Sequence, residues 1–376
     1  MAQIDRRTVL AAPWINWQRG PSVAVVGAGA FGGWTALHLL RAGARVTLYD
    51  AWGPGNARAS SGGETRITRA AYVDRIYADL TVRALQIWKE HEKRWNRRIF
   101  TPCGVIRLQG PASKDSARFV QTLRDAGVKH EMLSVSAARR QFPQFDFTGI
   151  DQVLWEPEHG MLRARRGCEA VYEAFLAEGG VYEQRQWLPA SPPPGDIVIW
   201  ACGPWLGKLF PLGKHFRVTR QEVFFFGVPA GERMYQEDRM PCWIDDSSDR
   251  FHYYGTPGND WRGFKIGDDA YGGEFDPDMA ERRASDEQLA RLREYMRIRF
   301  PKMAAAPVIE TRVCQYEVTA DAHLILDQAP GQPRHWLLGG GSGHGYKLGA
   351  AVGELMAQVA LEKRAPEPLF RLARFA

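Results

Sequence analysis

A glycine-rich turn near the start of the chain constrains the fold more than any other feature. The apolar run at residues 23–26 is followed by Gly27, Gly29 and Gly32, which have the spacing G-x-G-x-x-G. Apolar residues then recur at helical spacing, and a second apolar run ends at Asp50. Short apolar runs predict buried strands, and the spacing between them predicts a helix. The sequence therefore predicts a βαβ unit.

This unit has the residues that dinucleotide binding requires. Gly27 allows a tight turn, Gly29 lets the backbone approach a pyrophosphate, and Gly32 lets the helix pack closely on the strand. The helix N-terminus offers amide groups and a positive dipole to the phosphates. Asp50 lies about 20 residues further on, where a carboxylate accepts hydrogen bonds from ribose hydroxyls. The motif alone does not distinguish NAD from FAD.

Two later apolar runs bear on the choice of nucleotide. Residues 196–203 are typical of a buried strand that ends at a glycine turn, and residues 335–339 predict another strand. A glycine-rich segment at 339–345 then leads into a predicted helix from about 346 to 361. Strands of one nucleotide-binding domain are thus spread along the whole chain. Such interleaving favours a flavin-binding fold over a contiguous NAD domain.

The segments between these strands have a different pattern. We expect residues 75–140 to be mostly helical, whereas aromatic runs at 220–226, 251–254 and 263–267 predict an antiparallel sheet. The predicted fold class is α/β, with a Rossmann-like FAD-binding domain interleaved with an α+β substrate domain built on an antiparallel sheet. We assign residues 21–80, 150–215 and 320–376 to the FAD-binding domain, 81–149 and 216–319 to the substrate-binding domain, and 1–20 to an N-terminal tail.

Composition argues against several classes of protein. The 376 residues are 45% hydrophobic and 24% charged without a long apolar run, so neither disorder nor a membrane span is expected. The net charge of +6 is not clustered, which favours an anionic small molecule over nucleic acid as the partner. The five cysteines are scattered without a CxxC pair, so we expect no metal site and no disulfide framework.

The N-terminal tail contains a possible export signal. Arg6 and Arg7 precede a short apolar stretch, as in twin-arginine signals. Pro13 and Asn16 interrupt that stretch, and the first predicted strand follows at Ser22 without room for a cleavage site. We therefore expect a cytoplasmic protein, with periplasmic export as the alternative.

Six motifs together resemble the D-amino-acid-oxidase superfamily, in particular its branch of monomeric sarcosine oxidase and N-methyltryptophan oxidase. The resemblance runs from about Ser22 to the C-terminus. The motifs lie at residues 27–32, 65–69, 155–157, 263–267, 313–316 and 341–347. The resemblance implies FAD as cofactor, a small amine or amino-acid substrate with a carboxylate, O₂ as electron acceptor and hydrogen peroxide as product. We expect a monomer.

The resemblance also implies roles for two residues near the flavin. Cys314 corresponds to the cysteine that holds the flavin 8α carbon through a thioether, and the alternative is an inert buried cysteine. Lys265 corresponds to the lysine that activates O₂, where a fixed cation stabilises the charge of superoxide. Its apolar neighbours Phe264 and Ile266 fit this role and that of an exposed strand lysine equally well.

Further site residues follow from the same resemblance. Arg69 and Lys347 correspond to two cations that hold the substrate carboxylate. Arg66 corresponds to the arginine beside the flavin ring, and the spacing of three places it on the same side as Arg69 if the segment is helical. Tyr254 and Tyr316 correspond to aromatic residues of the substrate pocket.

The implied flavin contacts complete the predicted site. His344 corresponds to a residue in the turn beneath the flavin, and the helix after it would direct its amides at the pyrimidine end of the ring. The full set of predicted cofactor-binding residues is Gly27, Gly29, Phe31, Gly32, Asp50, Thr65, Arg66, Cys314, Gly343, His344, Gly345 and Lys347. The full set of predicted catalytic residues is Lys265, Arg66, Arg69, Lys347, Tyr254 and Tyr316.

The chain departs from the family pattern in its pocket. Sarcosine oxidases carry a histidine shortly after the lysine, where residues 267–269 read Gly-Asp-Asp, and a histidine pair where residues 61–62 read Ser-Gly. We expect Asp245 and Asp246, in a neighbouring loop, to make the pocket more acidic. These departures argue against assuming that sarcosine is the substrate.

The sequence therefore predicts an FAD-dependent oxidase of a secondary or N-substituted α-amino acid. A hydride would pass from the carbon beside the amine to flavin N5, water would hydrolyse the imine, and O₂ would be reduced to hydrogen peroxide. Two alternatives keep the fold, namely a cyclic imine or amino-acid oxidase of a biosynthetic pathway and a dehydrogenase that passes electrons to a quinone or a protein. A flavoprotein acting on tRNA would need a basic stripe, and none is visible in the sequence.

Overall fold

The computed structural model describes residues 20–376, so Arg6 and Arg7 lie outside the described range. The helices are α1 (Ala30–Arg41), α2 (Arg75–Trp95), α3 (Ser116–Asp125), α4 (Val135–Gln141), α5 (Ala164–Ala177), α6 (Leu206–Leu209), α7 (Asp286–Arg299) and α8 (Gly345–Ala360). The strands are β1 (Ser22–Val26), β2 (Arg45–Asp50), β3 (Thr65–Thr68), β4 (Phe100–Thr101), β5 (Val105–Gln109), β6 (Glu131–Ser134), β7 (Gln152–Glu156), β8 (Gly160–Arg163), β9 (Val181–Gln184), β10 (Ile197–Trp200), β11 (Phe216–Phe226), β12 (Cys242–Ser248), β13 (Phe251–Thr256), β14 (Phe264–Asp268), β15 (Val308–Thr319), β16 (Ile325–Gln328) and β17 (His335–Gly339).

A six-stranded sheet forms the first layer, in the order β16-β17-β10-β1-β2-β9. Its pairs are parallel except for β16 with β17, and the central strands are apolar because both faces of the sheet are covered. Helices α1, α2, α5 and α8 pack into the core on one face. The parallel pairing brings the carboxyl ends of β1, β2 and β10 to the same edge of the sheet.

An eight-stranded sheet forms the second layer, in the order β15-β11-β14-β13-β12-β5-β7-β6. All neighbouring strands are antiparallel except β12 and β5. One face packs with α7 around an aromatic core that includes Phe224, Trp243, Phe264 and Phe300. Because successive side chains of a strand point to opposite faces, the residues between these core residues lie on the other face of the sheet. A third, three-stranded sheet has the order β3-β8-β4.

The segment expected to be mostly helical is only partly so. Helices α2, α3 and α4 lie in it, but so does β5, an interior strand of the eight-stranded sheet. All five residues of β5 are buried, including the polar Arg107 and Gln109, although residues 106–109 alternate between apolar and polar side chains as a half-exposed strand does. The predicted strands at residues 196–203 and 335–339 are present as β10 and β17, and the predicted C-terminal helix is α8.

Two of the proposed domain boundaries conflict with the elements. Residue 80 lies inside α2, which packs as one helix in the core of the first layer. Strand β7 lies in the eight-stranded sheet, although residues 150–215 were assigned to the FAD-binding domain. We therefore place α2 with the first layer and β7 with the second, and the rest of the division stays a prediction. None of the helices within residues 20–376 has the length and apolar character needed to cross a membrane.

Candidate active site

The first of two cavities opens at the edge where β1, β2 and β10 end. It encloses about 1200 Å³, part of it open to solvent. The glycine turn after β1 lines it through Gly27 and Gly29, and Asp50 lines it at the end of β2. The cavity continues past Phe31 to Gly345 at the start of α8. The predicted dinucleotide motif therefore borders a cavity.

The glycines of the turn are required by close backbone approaches. Gly27 has φ +110°, and a Cβ there would lie 2.3 Å from the Ala201 carbonyl oxygen. A Cβ at Gly32 would lie 1.8 Å from the carbonyl oxygen of Gly27, so no other residue lets α1 pack on the turn. Helix α1 begins after Gly29 and has no side-chain cap. Its first amide groups therefore point toward the cavity without a side-chain acceptor.

Asp50 organises the neighbouring turn. Its Oδ2 accepts a 2.8 Å hydrogen bond from the amide of Ala28, and its Oδ1 accepts from the amides of Trp52 and Gly53, each at 2.8 Å. Burial raises the pKa of Asp50, while these three amides act to lower it. Each carboxylate oxygen has further lone pairs, so the predicted contact with ribose hydroxyls is compatible with this arrangement.

Three buried polar atoms that line the first cavity have no partner within residues 20–376. They are Ser60 Oγ, Trp187 Nε1 and Glu317 Oε2. Burial also raises the pKa of Glu317 to about 7. Buried polar atoms are almost always hydrogen-bonded in proteins, so unpartnered ones indicate a missing polar ligand. An extended ligand with phosphates, hydroxyls and a heterocycle, such as FAD, fits this donor and acceptor set.

The second cavity lies between β3 and the face of the eight-stranded sheet opposite the aromatic core, and it has a volume of about 1030 Å³, part of it open to solvent. It joins the first cavity along shared residues. Those that line both are Arg66, Tyr316, Gly343 and Tyr346. Those predicted residues that line only the second are Arg69, Tyr254, Lys265, Cys314, His344 and Lys347. Within residues 20–376 no three His, Cys, Asp or Glu side chains form a cluster that could hold a metal ion.

The strand register explains why Lys265 reaches this cavity. Lys265 pairs with Phe225 on β11 and Thr256 on β13, while Phe264 and Ile266 face the aromatic core. Lys265 is only 3% exposed, which excludes the exposed-lysine alternative. Its Nζ donates to the carbonyl oxygen of Thr65 at 2.9 Å and to Thr65 Oγ1 at 3.2 Å. Burial, with a smaller contribution from Arg66, lowers the pKa of Lys265 to about 7.

The two predicted arginines lie on a strand and not on a helix. Arg66 belongs to β3, and Arg69 follows the end of that strand, so the condition for helical spacing is not met. Both still reach the second cavity because the chain leaves the extended conformation after Thr68. Arg66 Nη1 donates to the carbonyl oxygen of Thr65 at 2.8 Å, and its Nη2 lies 3.8 Å from Cys314 Sγ. The cysteine and the guanidinium therefore meet at the junction of the cavities.

Tyr72 connects the two cations expected to bind a carboxylate, and sequence reasoning missed it. The Arg69 guanidinium lies 4.5 Å from the centroid of the Tyr72 ring, and Lys347 Nζ donates to the Tyr72 hydroxyl at 2.9 Å. Burial raises the pKa of Tyr72 to about 12 and lowers that of Lys347 well below its usual value. Only its position three residues after Arg69 could have indicated this role.

His344 belongs to the same group of side chains. Its Nδ1 lies 3.3 Å from the Tyr72 hydroxyl, and its Nε2 lies 3.1 Å from the carbonyl oxygen of Ala322. Burial, reinforced by Lys347, lowers the pKa of His344 to about 3. The imidazole is therefore neutral at physiological pH and lies among the residues of the second cavity.

The expectation that Asp245 and Asp246 acidify the pocket is wrong. Both belong to β12 and not to a loop, and neither lines the second cavity. Asp245 points into the aromatic core, where its Oδ2 accepts from Arg299 Nε at 2.9 Å. Asp246 forms an ion pair with Arg107. The acidic residues that do line the cavity are Glu64 and Asp269.

Comparison with known proteins places these observations in a family. The monomeric sarcosine oxidase of Streptomyces avermitilis is 27% identical over 92% of this chain and 95% of its own length. The N-methyl-L-tryptophan oxidase of Yersinia pestis is 26% identical over 93% of this chain and 98% of its own length. These alignments span nearly the whole chain.

The structural comparison shows the same fold. The crystal structure of L-proline dehydrogenase from P. horikoshii superposes with a TM-score of 0.79 over 95% of this chain and 98% of its own, at 18% identity. The α/β architecture with a nucleotide-binding sheet interleaved with a larger sheet is thus confirmed. The model of the family described as FAD dependent oxidoreductase (DAO) matches residues 22–359, and the chain therefore belongs to that family.

Proposed function

We propose that this protein is an FAD-dependent oxidase of a secondary or N-substituted α-amino acid. The observation that carries the proposal is the second cavity, which has the cations Arg69 and Lys347 in one group and the buried amine of Lys265 in another. It joins the cavity that fits FAD. A substrate in it would thus lie beside the cofactor. Its relatives include enzymes named for oxidation of N-methyl amino acids, which agrees with this substrate class.

The first cavity would hold the cofactor through the glycine turn. The amides at the start of α1 would bind the pyrophosphate, and Asp50 would bind the ribose. Bound FAD supplies a two-electron acceptor for the carbon–hydrogen bond next to the substrate nitrogen. Cys314 would hold the flavin covalently through a thioether, since it is buried and lines the second cavity beside the junction with the first, where its Sγ lies 3.8 Å from Arg66 Nη2.

The substrate carboxylate would bind between Arg69 and Lys347. Both side chains are held in position by Tyr72, through its ring and its hydroxyl respectively. A guanidinium fork and an ammonium make strong, charge-assisted hydrogen bonds to a carboxylate. An anion here would also offset the burial that lowers the pKa of Lys347. These residues would fix the carboxylate and thereby the position of the neighbouring nitrogen and carbon.

Lys265 would stabilise negative charge on oxygen. It is buried, and its Nζ donates to the carbonyl oxygen and to the hydroxyl of Thr65, which fixes its direction. A preorganised cation in a site that excludes water stabilises developing charge far more than it would in water. We propose that it promotes the reduction of O₂ to hydrogen peroxide, while water hydrolyses the imine product of the substrate.

A second candidate is a dehydrogenase of a cyclic amino acid. It is suggested by the L-proline dehydrogenase whose structure superposes on this one, since proline is a cyclic secondary amine. Both candidates use the same carboxylate-binding cations. They differ in the electron acceptor, because an oxidase forms hydrogen peroxide and a dehydrogenase passes electrons to a quinone or a protein.

The test is a peroxide-coupled screen of the purified, FAD-containing protein against N-methyl, cyclic and glycated amino acids. The proposal predicts peroxide with at least one secondary amino acid. Turnover that requires an added quinone and yields no peroxide would favour the dehydrogenase. Absence of turnover with every amine, in protein that contains FAD, would overturn both.

A further inference from the structure

A carboxylate in the second cavity has no role in the proposed chemistry. Asp269 directly follows β14 and lines the cavity, and its backbone amide donates to the carbonyl oxygen of His252. The preceding residue, Asp268, points elsewhere and accepts from Gln288 Nε2 at 2.8 Å. The two neighbouring aspartates therefore have different surroundings, and Asp269 is an exposed residue at the rim of the cavity.

Asp269 has no ion-pair partner in the part of the chain that the structure describes. The other acidic residue of the cavity, Glu64, lies 3.6 Å from Arg262. The Oδ1 of Asp269 accepts a 3.0 Å hydrogen bond from the hydroxyl of Tyr316, and its Oδ2 has no hydrogen-bond donor within residues 20–376. The Tyr316 contact holds the carboxylate at the cavity wall and leaves one oxygen available.

The cations of the same cavity have hydrogen-bond and ring partners other than this carboxylate. The Arg69 guanidinium donates to the carbonyl oxygen of Ala71 and stacks on Tyr72, and Lys347 donates to the Tyr72 hydroxyl. Neither forms an ion pair with Asp269. One cavity thus offers positive charge at one position and an unpaired negative charge at another, which is complementary to a molecule that carries both charges.

We propose that Asp269 binds a positively charged nitrogen of the substrate. The inference rests on the proposed function and narrows its substrate class to amino acids that bind with a carboxylate on Arg69 and Lys347 and a cationic nitrogen facing Asp269. The nitrogen is either the α-ammonium group, which would bind in its charged form and release a proton to solvent before oxidation, or a cation further along the side chain, and both would make the same electrostatic contact with the carboxylate. Neutral N-acylated or purely anionic substrates are disfavoured by the same carboxylate.

A simpler role for Asp269 would be to keep Lys347 protonated. Burial lowers the pKa of Lys347, Arg69 lowers it further, and Asp269 acts in the opposite direction. In that case loss of the carboxylate would weaken the binding of every carboxylate ligand equally. If Asp269 contacts the ligand directly, loss of the carboxylate would weaken the binding only of ligands that carry a positive charge. The two roles are therefore separable by paired ligands.

The experiment compares trimethylglycine with its carbon isostere 3,3-dimethylbutanoate in the FAD-containing protein. The two carboxylates have the same shape and differ by one positive charge, and the quaternary nitrogen of trimethylglycine has no lone pair to support oxidation. Dissociation constants are measured from the change in the flavin spectrum. A second pair, 6-aminohexanoate and heptanoate, places the charge far from the carboxylate. The variants are Asp269→Asn and, as the matched control, Asp268→Asn.

We expect the unaltered protein to prefer the charged member of at least one pair by about two- to fivefold, as for an ion pair with a carboxylate that is exposed to solvent. Asp269→Asn should abolish that preference without weakening the uncharged ligand, and Asp268→Asn should retain it. The pair that responds shows which nitrogen is bound. An equal loss for both members of each pair, or an unchanged preference, would overturn the inference while leaving the proposed function intact. If none of the four carboxylates binds to the unaltered protein, the proposed function itself fails.

Discussion

Replacement of Lys265 by Met tests the proposed oxygen chemistry with a change that preserves side-chain length and removes the charge. Lys265 is 3% exposed and donates to Thr65, so Met fills the same buried volume without the charge. Removing one preorganised charge partner from such a site typically lowers the rate of the step it serves by about 10²- to 10³-fold. We expect a loss of that size in the second-order rate constant for reaction with O₂.

The pH dependence gives a sharper expectation. The pKa of Lys265 is lowered to about 7 by burial, so the protonated fraction is about one half at pH 7 and about one hundredth at pH 9. If the reduction of O₂ requires the ammonium form of Lys265, the rate constant for O₂ in the unaltered protein is constant at low pH and falls about tenfold per pH unit above the pKa. This fall is the alkaline limb of the pH profile. Negative charge on the reduced cofactor favours the ammonium and would move the limb upward from 7. Lys265→Met should show no such limb.

The assay mixes anaerobically reduced protein with oxygenated buffer between pH 6 and 9.5 and follows the return of flavin colour. Lys208→Met is the control, because Lys208 is an exposed lysine paired with Asp276 and Asp278. It should react as the unaltered protein does. The reasoning is refuted if Lys265→Met retains the rate within a few-fold, or if it loses rate but keeps the same limb.

Three further outcomes follow from the site. Acid precipitation should leave the flavin with the unaltered protein and release it from Cys314→Ala; release from both would contradict a thioether. Arg69→Ala should weaken the binding of 3,3-dimethylbutanoate by about 10- to 100-fold, as expected for lost charge-assisted hydrogen bonds, and an unchanged dissociation constant would remove Arg69 from the carboxylate site. Gly32→Ala should destabilise the protein by about 1–3 kcal/mol and reduce FAD retention because the new Cβ meets the Gly27 carbonyl. Gly273→Ala, whose Cβ would meet nothing within 4 Å, should change the free energy of unfolding by less than about 0.5 kcal/mol, and equal effects of the two would refute the packing argument.

Features set by local sequence were predictable. The glycine turn, α1 and the approach that requires Gly32 follow from residues close together in the chain, as does the start of α8. The alternation around Lys265 predicted opposite faces for the lysine and its apolar neighbours. It could not predict which face is covered, because that depends on β3, which lies about 200 residues away in the chain and supplies Thr65.

Features set by distant pairing were not predictable. Strand β5 was missed although residues 106–109 alternate between apolar and polar side chains, because the run is short and its parallel partner β12 is far away in sequence. The same strand register turns Asp245 into the core, against expectation. Tyr72 acquires its role only because α8 brings Lys347 to it.

The proposed activity requires a flavin that an amino acid reduces and that oxygen reoxidises. The decisive measurement is the visible spectrum of the purified protein during anaerobic addition of an N-methyl or cyclic amino acid, followed by admission of air. We predict a flavin spectrum that bleaches with the amino acid and returns in air with formation of hydrogen peroxide. Colourless protein that takes up no FAD, or a bound flavin that no amino acid bleaches, would contradict it.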